Sequence, residues 1–296
     1  MKSQSCIADT EAPGKTAMWV TQSPFRVCAV PVPGYAAILN PMLSLPRAAV
    51  AFGAAFVAGA INSVAGGGTL VSFPALVWLG LDSVIANATS TVAIWPGVVG
   101  SAWSYRREIR SAKTHFLALI APSLVGGLVG AILLRYTPTA MFDRMVPFLI
   151  LFATLLFMAQ EPVQRLLRTS DASAHRSSRL LLGGMLFQLC VGLYGGYFGA
   201  GIGILMLAAL SILGLNDIHE MNGLKVILGG SVNGIAAIYF IWSRMVNWPS
   251  VLLMAVAAIL GGYLGAGIAR RLGQRAVRRI VIVVGLGMAI SLFFRR

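Results

Sequence analysis

AGAINSVAGGGTLVSFPALVWLGL, from Ala58 to Leu81, is a hydrophobic stretch broken in its middle by glycine, and the chain uses the device twice. The second copy, VGLYGGYFGAGIGILMLAALSILGL, runs from Val191 to Leu215. Each places small residues at the centre of a run otherwise apolar enough for a bilayer. In membranes, paired interrupted segments in the two halves of a chain point to a carrier's binding site, because broken helices expose polar backbone there. The pair implies an integral membrane carrier.

The halves align well beyond these clusters. Gly66 and Gly68 match Gly199 and Gly201, and Gly80-Leu81-Asp82 matches Gly214-Leu215-Asn216. Further on, Gly100 matches Gly234, Tyr105 matches Tyr239, and Arg135 matches Arg270. Gly126 and Gly130, like Gly261 and Gly265, have the small-xxx-small spacing that lets membrane helices approach closely. The chain therefore reads as an internal duplication.

Composition agrees. Hydrophobic residues make up 57% of the 296 and charged residues only 11%, against roughly a quarter charged in a soluble domain. Lysine and arginine number 23 against 9 acidic residues, a formal net charge of +14. In a soluble protein that excess would point to nucleic acid. Here the bases lie in loops between apolar spans, so topology control explains them and no nucleic-acid partner is expected. Cys6, Cys28 and Cys190 show no paired spacing, which argues against both a disulfide framework and a metal knuckle.

Apolar segments lie near 46–64, 69–80, 84–105, 115–134 and 140–159, then near 179–197, 202–214, 222–242, 249–269 and 277–294. The segments 69–80 and 202–214 are shorter than the ~20 residues a helix needs to cross, so each belongs with its predecessor as a broken or re-entrant pair. The predicted fold is an all-α polytopic membrane protein of two inverted repeats. Each repeat has one glycine-broken pair plus three spanning helices. The predicted organisation is an N-terminal extension over 1–45, a first transmembrane repeat over 46–160, a cytoplasmic linker over 161–178, and a second repeat over 179–296. The extension has no run long enough to span; it is expected to be disordered, or to precede a later start at Met42.

The inversion follows from the bases. Basic residues cluster at 106–113, in the linker at 161–178, and at 270–279. If each broken pair makes no net crossing, all three fall on one side, which the positive-inside rule makes cytoplasmic. Each half then crosses an odd number of times and both chain ends face outward.

An inverted repeat of this kind puts the site between the glycine clusters. Glycines at 66, 67 and 68 and at 199 and 201 leave backbone N–H groups open to a ligand oxygen. Asn62, Ser63 and Thr69 add side-chain hydrogen bonds in the first copy. A second polar cluster follows at matching positions: Thr89, Ser90 and Thr91 in the first half, Asn222 and Lys225 in the second, with Thr91 in register with Lys225. Asn222 and Lys225, three apart, share a helix face. A lysine at the head of an apolar helix either complements an anion as a point charge or snorkels to the interface. The substrate-binding set read from sequence is thus Asn62, Ser63, Gly66, Gly67, Gly68, Thr69, Thr89, Ser90, Gly199, Gly201, Asn222 and Lys225. Asn233 reads as a helix–helix hydrogen-bonding group.

From Ala58 through Tyr105 and from Val191 through Tyr239, the chain resembles the TauE/SafE family of sulfite and sulfonate permeases. The shared elements are Ala-Gly-x-Ile-Asn-x-x-Ala-Gly-Gly-Gly with Pro74 downstream, the Ala-Asn-Ala-Thr-Ser run, and Gly-Gly-Tyr-Phe-Gly-Ala-Gly-Ile-Gly followed by Asn222-Gly-Leu-Lys225. The resemblance implies a multi-pass permease of the bacterial inner membrane, without ATPase, for small sulfur oxyanions, organosulfonates or other organic anions. Family members commonly have Thr-Ser-Lys where this chain has Gly223-Leu224-Lys225.

Two other classes compete. A metal-cation permease should carry His, Asp, Met or Cys clusters inside the membrane. An intramembrane enzyme should carry a catalytic constellation such as Ser with His or paired aspartates. Neither pattern is visible, so no catalytic residue, metal ligand or cofactor is expected. The expected partners are a small anion and the lipid bilayer.

Overall fold

The computed structural model describes residues 44–64, 67–104, 118–169, 178–213, 215, 218–272 and 274–294. The N-terminal extension and the basic loop at 106–113 therefore lie outside the described residues.

Among the described residues there are ten α-helices and no strand. In the first half they are α1 (Leu45–Val64), α2 (Thr69–Trp78), α3 (Ser83–Ser104), α4 (Ile120–Tyr136) and α5 (Thr139–Thr169). The second half has α6 (Ser178–Tyr197), α7 (Ile202–Ile212), α8 (Ile218–Trp242), α9 (Trp248–Leu272) and α10 (Gln274–Phe294). Every apolar segment read from sequence becomes one helix. Several are longer than hydropathy alone indicates, α5 most of all. Helix α5 continues through Thr169 into the segment assigned as linker, and α8 begins at Ile218. Backbone hydrogen bonding carries a helix past its apolar run into polar sequence that hydropathy discounts.

By length and composition, Leu45–Asn62, Thr139–Ala159 and Glu220–Trp242 can each cross a membrane; shorter apolar runs include Ile120–Tyr136 and Trp248–Leu264. Helices α2 and α7, with 10 and 11 residues, cannot. At about 1.5 Å per residue they cover roughly half of the hydrocarbon core. Asp82 begins α3 by accepting the Val84 N–H at 3.0 Å, the usual service of an N-capping carboxylate.

The halves pack by exchange. The two most extensive helix contacts are α1 with α9 and α4 with α6, so each half's first helix lies against the other half's fourth. The pairs are equivalent in the register of the duplication. A Cβ on Gly126 would overlap the Leu189 carbonyl oxygen, and one on Gly261 would overlap the Phe56 carbonyl oxygen. Gly59 against Ala258 repeats the contact of Gly192 with Ser123. Backbones thus meet directly along two seams, where dispersion contacts replace the absent hydrophobic drive between helices in lipid.

Between the seams, α3 packs on α8, and α2 and α7 fill the interior. Phe73 of α2 meets the Phe198 ring edge-on at 5.5 Å and Phe142 of α5 at 6.2 Å, and Phe142 in turn meets Tyr197 at 5.7 Å. This fully buried cluster wedges the first short helix against the break of the other half. Outside, Val125, Leu133, Phe148, Leu155, Ile238 and Leu252 are exposed. Helices apolar on the outer as well as the inner face suit a lipid surround.

Candidate functional site

Each break is closed by the protein itself. In the first, Asn62 at the end of α1 accepts the N–H groups of both Gly67 and Gly68 at 2.8 Å with its Oδ1. Gly67 has φ +125°, a region closed to residues with a Cβ. The turn doubles the chain back, so that Gly68 lies against the Ala58 carbonyl in the C-terminal third of α1. In the second break the position equivalent to Asn62 is Gly195, and another device serves. The Tyr194 hydroxyl donates to the Ala200 carbonyl at 2.8 Å, and the Phe198 N–H donates to Tyr194 O at 2.9 Å. Gly199 and Gly201 supply the positive φ values, +80° and +77°.

The first closure changes the chemistry read from sequence. The Gly67 and Gly68 amides are engaged with Asn62 and are not free to hold a ligand. Among the described residues no side chain clasps the start of α7 in this way, and first-turn N–H groups of a helix have no intrahelical acceptor. Ile202 and Gly203, at that start, face the cavity described next.

Between α3 and α8, bounded by both breaks, lies an open-mouthed cavity with about 690 Å³ of empty space, its mouth included. The first break contributes Asn62, Gly67 and Thr69; the second contributes Gly199, Ile202 and Gly203. Helix α3 presents Thr91, Ile94, Trp95 and Val98. Helix α8 presents Lys225, Val226, Gly229, Gly230 and Asn233. The lining follows the duplication: Thr91 and Lys225 are equivalent, as are Trp95 and Gly229. The chemistry does not, because one half offers a hydroxyl and a large ring where the other offers a cation and open backbone.

Lys225 is half-buried, and its Nζ donates to Asn222 Oδ1 at 2.9 Å. Its partner is a neutral amide, and no carboxylate appears among the described lining residues. The charge is therefore not neutralised within the cavity. The Thr91 hydroxyl donates to the Asn87 carbonyl at 3.0 Å, leaving its lone pairs for a donor. Trp95 Nε1 donates to the Gly230 carbonyl at 3.1 Å, bridging the halves.

Of the residues read from sequence, the cavity gathers Asn62, Gly67, Thr69, Gly199 and Lys225, with Asn222 bonded behind the lysine. Others are placed elsewhere. The Thr89 hydroxyl accepts the Asn247 N–H at 3.0 Å, and Ser90 shares a 2.7 Å hydrogen bond with Ser72. Gly68 packs on α1, and Gly201 lies beside Ala153. The Ser63 side chain and all of Gly66 lie outside the described residues. Sequence reading gave no site role to Trp95 or Asn233, nor to the apolar residues of α3 and α8. A signal existed: 91, 94, 95 and 98, and again 225, 226, 229, 230 and 233, follow the period of one helical face.

Comparison with known proteins places the chain among membrane transporters. The model of the family described as Sulfite exporter TauE/SafE matches residues 51–292. A probable membrane transporter protein of Haemophilus influenzae is 27% identical over 247 residues, covering 83% of this chain and 94% of the relative. The probable membrane transporter protein YfcA of Escherichia coli K12 is 29% identical over 251 residues, covering 83% and 89%. YunE of Bacillus subtilis, also described as a probable membrane transporter protein, is 25% identical over 250 residues, covering 77% and 90%. No solved structure matches the chain. With a family match that spans both halves and both broken segments, the chain belongs to the TauE/SafE family of membrane transporters.

Proposed function

We propose that this transporter is a secondary carrier of a small anion, a sulfur oxyanion or an organosulfonate, held between the two broken segments. The observation that carries the reading is Lys225, a cation on a cavity shared by both halves, with a neutral partner and no lining carboxylate among the described residues. An anion entering there meets the ammonium, the first turn of α7 with its positive dipole end, and the Thr69 and Thr91 hydroxyls. Asn62 supports this site by closing the first break, and Asn222 by holding the lysine toward the cavity's polar side. The metal-cation alternative gains nothing from an uncompensated lysine, which repels its substrate.

Alternating access between inverted repeats is the mechanism we propose. The doubling back at Gly67–Gly68 supports a broken pair that returns to its starting side, and the equivalent seams of α1 with α9 and α4 with α6 support two matching halves. Rocking one half against the other would expose a midplane site to each side in turn. In this arrangement the protein is a multi-pass component of the inner membrane, with the basic segments 106–113, 161–178 and 270–279 cytoplasmic.

Two experiments test these proposals. Purified protein in proteoliposomes is expected to take up at least one labelled anion from sulfite, thiosulfate, taurine, sulfoacetate and simple carboxylates. Folded protein that moves none of them sinks the anion reading. For orientation, a cysteine at position 276 of a cysteine-free chain is expected to resist an impermeant reagent added outside, while one at position 296 reacts. The reverse pattern removes the inversion.

A further inference from the structure

We infer that Trp95 sets the length of substrate this carrier accepts, its indole standing as a rigid apolar wall at a fixed distance from Lys225. The inference rests on the anion-carrier reading and adds to it the residue that selects among anions.

Three observations fix the ring. Its Nε1 donates to the Gly230 carbonyl at 3.1 Å on the facing helix. Its edge is seated on Gly234, where a Cβ would come within 2.9 Å of Nε1 and 3.1 Å of Cε2. Ile94 and Val98, on the same face of α3, flank it along the lining. Because the one polar atom of the indole is spent on Gly230, the ring offers the cavity only apolar surface. A polar group pressed against it would lose its hydrogen bonds to water without replacement. A short alkyl group loses nothing there.

The charged subsite lies at a defined offset. Gly230 is five residues past Lys225, about 7.5 Å along α8 at the helical rise. Helical side chains lean toward the N-terminus, and Lys225 does so, since its Nζ reaches back to Asn222. An anion on Lys225 therefore has room for a short tail before it meets the indole. The other half has no counterpart to this wall, because the position equivalent to Trp95 is Gly229. Selection by length thus comes from one side of an otherwise duplicated site.

The test measures binding of ethanesulfonate and hexanesulfonate to the full chain in nanodiscs. The parent is expected to favour ethanesulfonate. Trp95→Ala should shift the ratio toward hexanesulfonate by roughly tenfold or more, the scale on which apolar pockets discriminate methylenes. Trp95→Leu and Trp95→Phe, which keep part of the apolar wall but lose the bond to Gly230, should give intermediate shifts. Gly234→Ala presses a Cβ on the Nε1 edge of the ring, displaces the wall and should also change the ratio. Lys225→Met should weaken both anions alike. If Lys225→Met does so while Trp95→Ala and Trp95→Leu keep the parental ratio, the length inference is overturned and the anion site stands. A parent that binds neither alkanesulfonate overturns this inference, and the uptake screen decides separately whether the anion reading stands.

Discussion

Lys225→Met is expected to weaken anion binding by about ten- to a hundredfold while leaving the protein folded. A hydrogen bond to a charged group contributes roughly 1.5–3 kcal/mol, and about 1.4 kcal/mol corresponds to each tenfold in affinity. Methionine is one atom shorter than lysine and keeps an unbranched apolar stem, so α8 should pack as before. Among the described residues the bond lost is the one to Asn222 Oδ1, and the open cavity leaves that oxygen a route to water. Lys225→Arg should restore binding in part, because a broad guanidinium fork replaces a compact charge. Equilibrium binding of the transported anion in detergent or nanodiscs measures the effect. Parental affinity in Lys225→Met would make the lysine an interfacial anchor and leave recognition to the α7 N-terminus and the hydroxyls.

The second large effect is on stability. Gly130→Ala and Gly261→Ala each place a Cβ where the partner helix has backbone: against Leu193 O in one seam and Phe56 O in the other. Backbone cannot rotate aside as a side chain does, so the helices must part. Overpacking of this kind costs about 1–3 kcal/mol, and the two costs should add because the seams share no partner. Gly53→Ala is the control, since a Cβ there meets nothing within 4 Å. Thermal unfolding in detergent should rank the double variant lowest, each single variant above it, and Gly53→Ala level with the parent. A Gly261→Ala protein that melts with the parent would mean that α1 and α9 are further apart than described.

The same glycines show how much was legible beforehand. Gly126, Gly130 and Gly261 announce close helix packing by spacing alone. Which helix each one meets is not written locally: Gly126 faces α6 and Gly261 faces α1, an exchange between halves that only the assembled bundle specifies. The cavity was legible in the same partial way. Lys225, Asn62, Thr69 and Gly199 were chosen because polar or flexible residues in apolar surroundings carry a cost that needs a reason. Trp95 does not stand out in this way, because a tryptophan in a membrane helix carries no such cost.

Thr89 and Ser90 show the converse. They lie in the same polar run as Thr91, yet in a helix successive residues are about 100° apart in rotation. That rotation turns Thr91 into the cavity, Thr89 toward Asn247 and Ser90 toward Ser72. Composition of a run indicates polarity; it does not choose the face.

Sequence by itself determined the ten described helices, the duplication, the two broken segments and the lysine in the N-terminal third of α8. All of these follow from hydropathy, glycine placement and internal register, which are properties of the chain read along its length. Tertiary structure decided which donors remain for a ligand. Asn62 consumes the Gly67 and Gly68 amides in one break, while Tyr194 closes the other through a carbonyl. It also decided that Trp95 stands opposite Gly230 across the halves. Hydrogen bonds and van der Waals contacts are settled by distances of a few ångströms between segments far apart in the chain, and those distances exist only once the helices have packed.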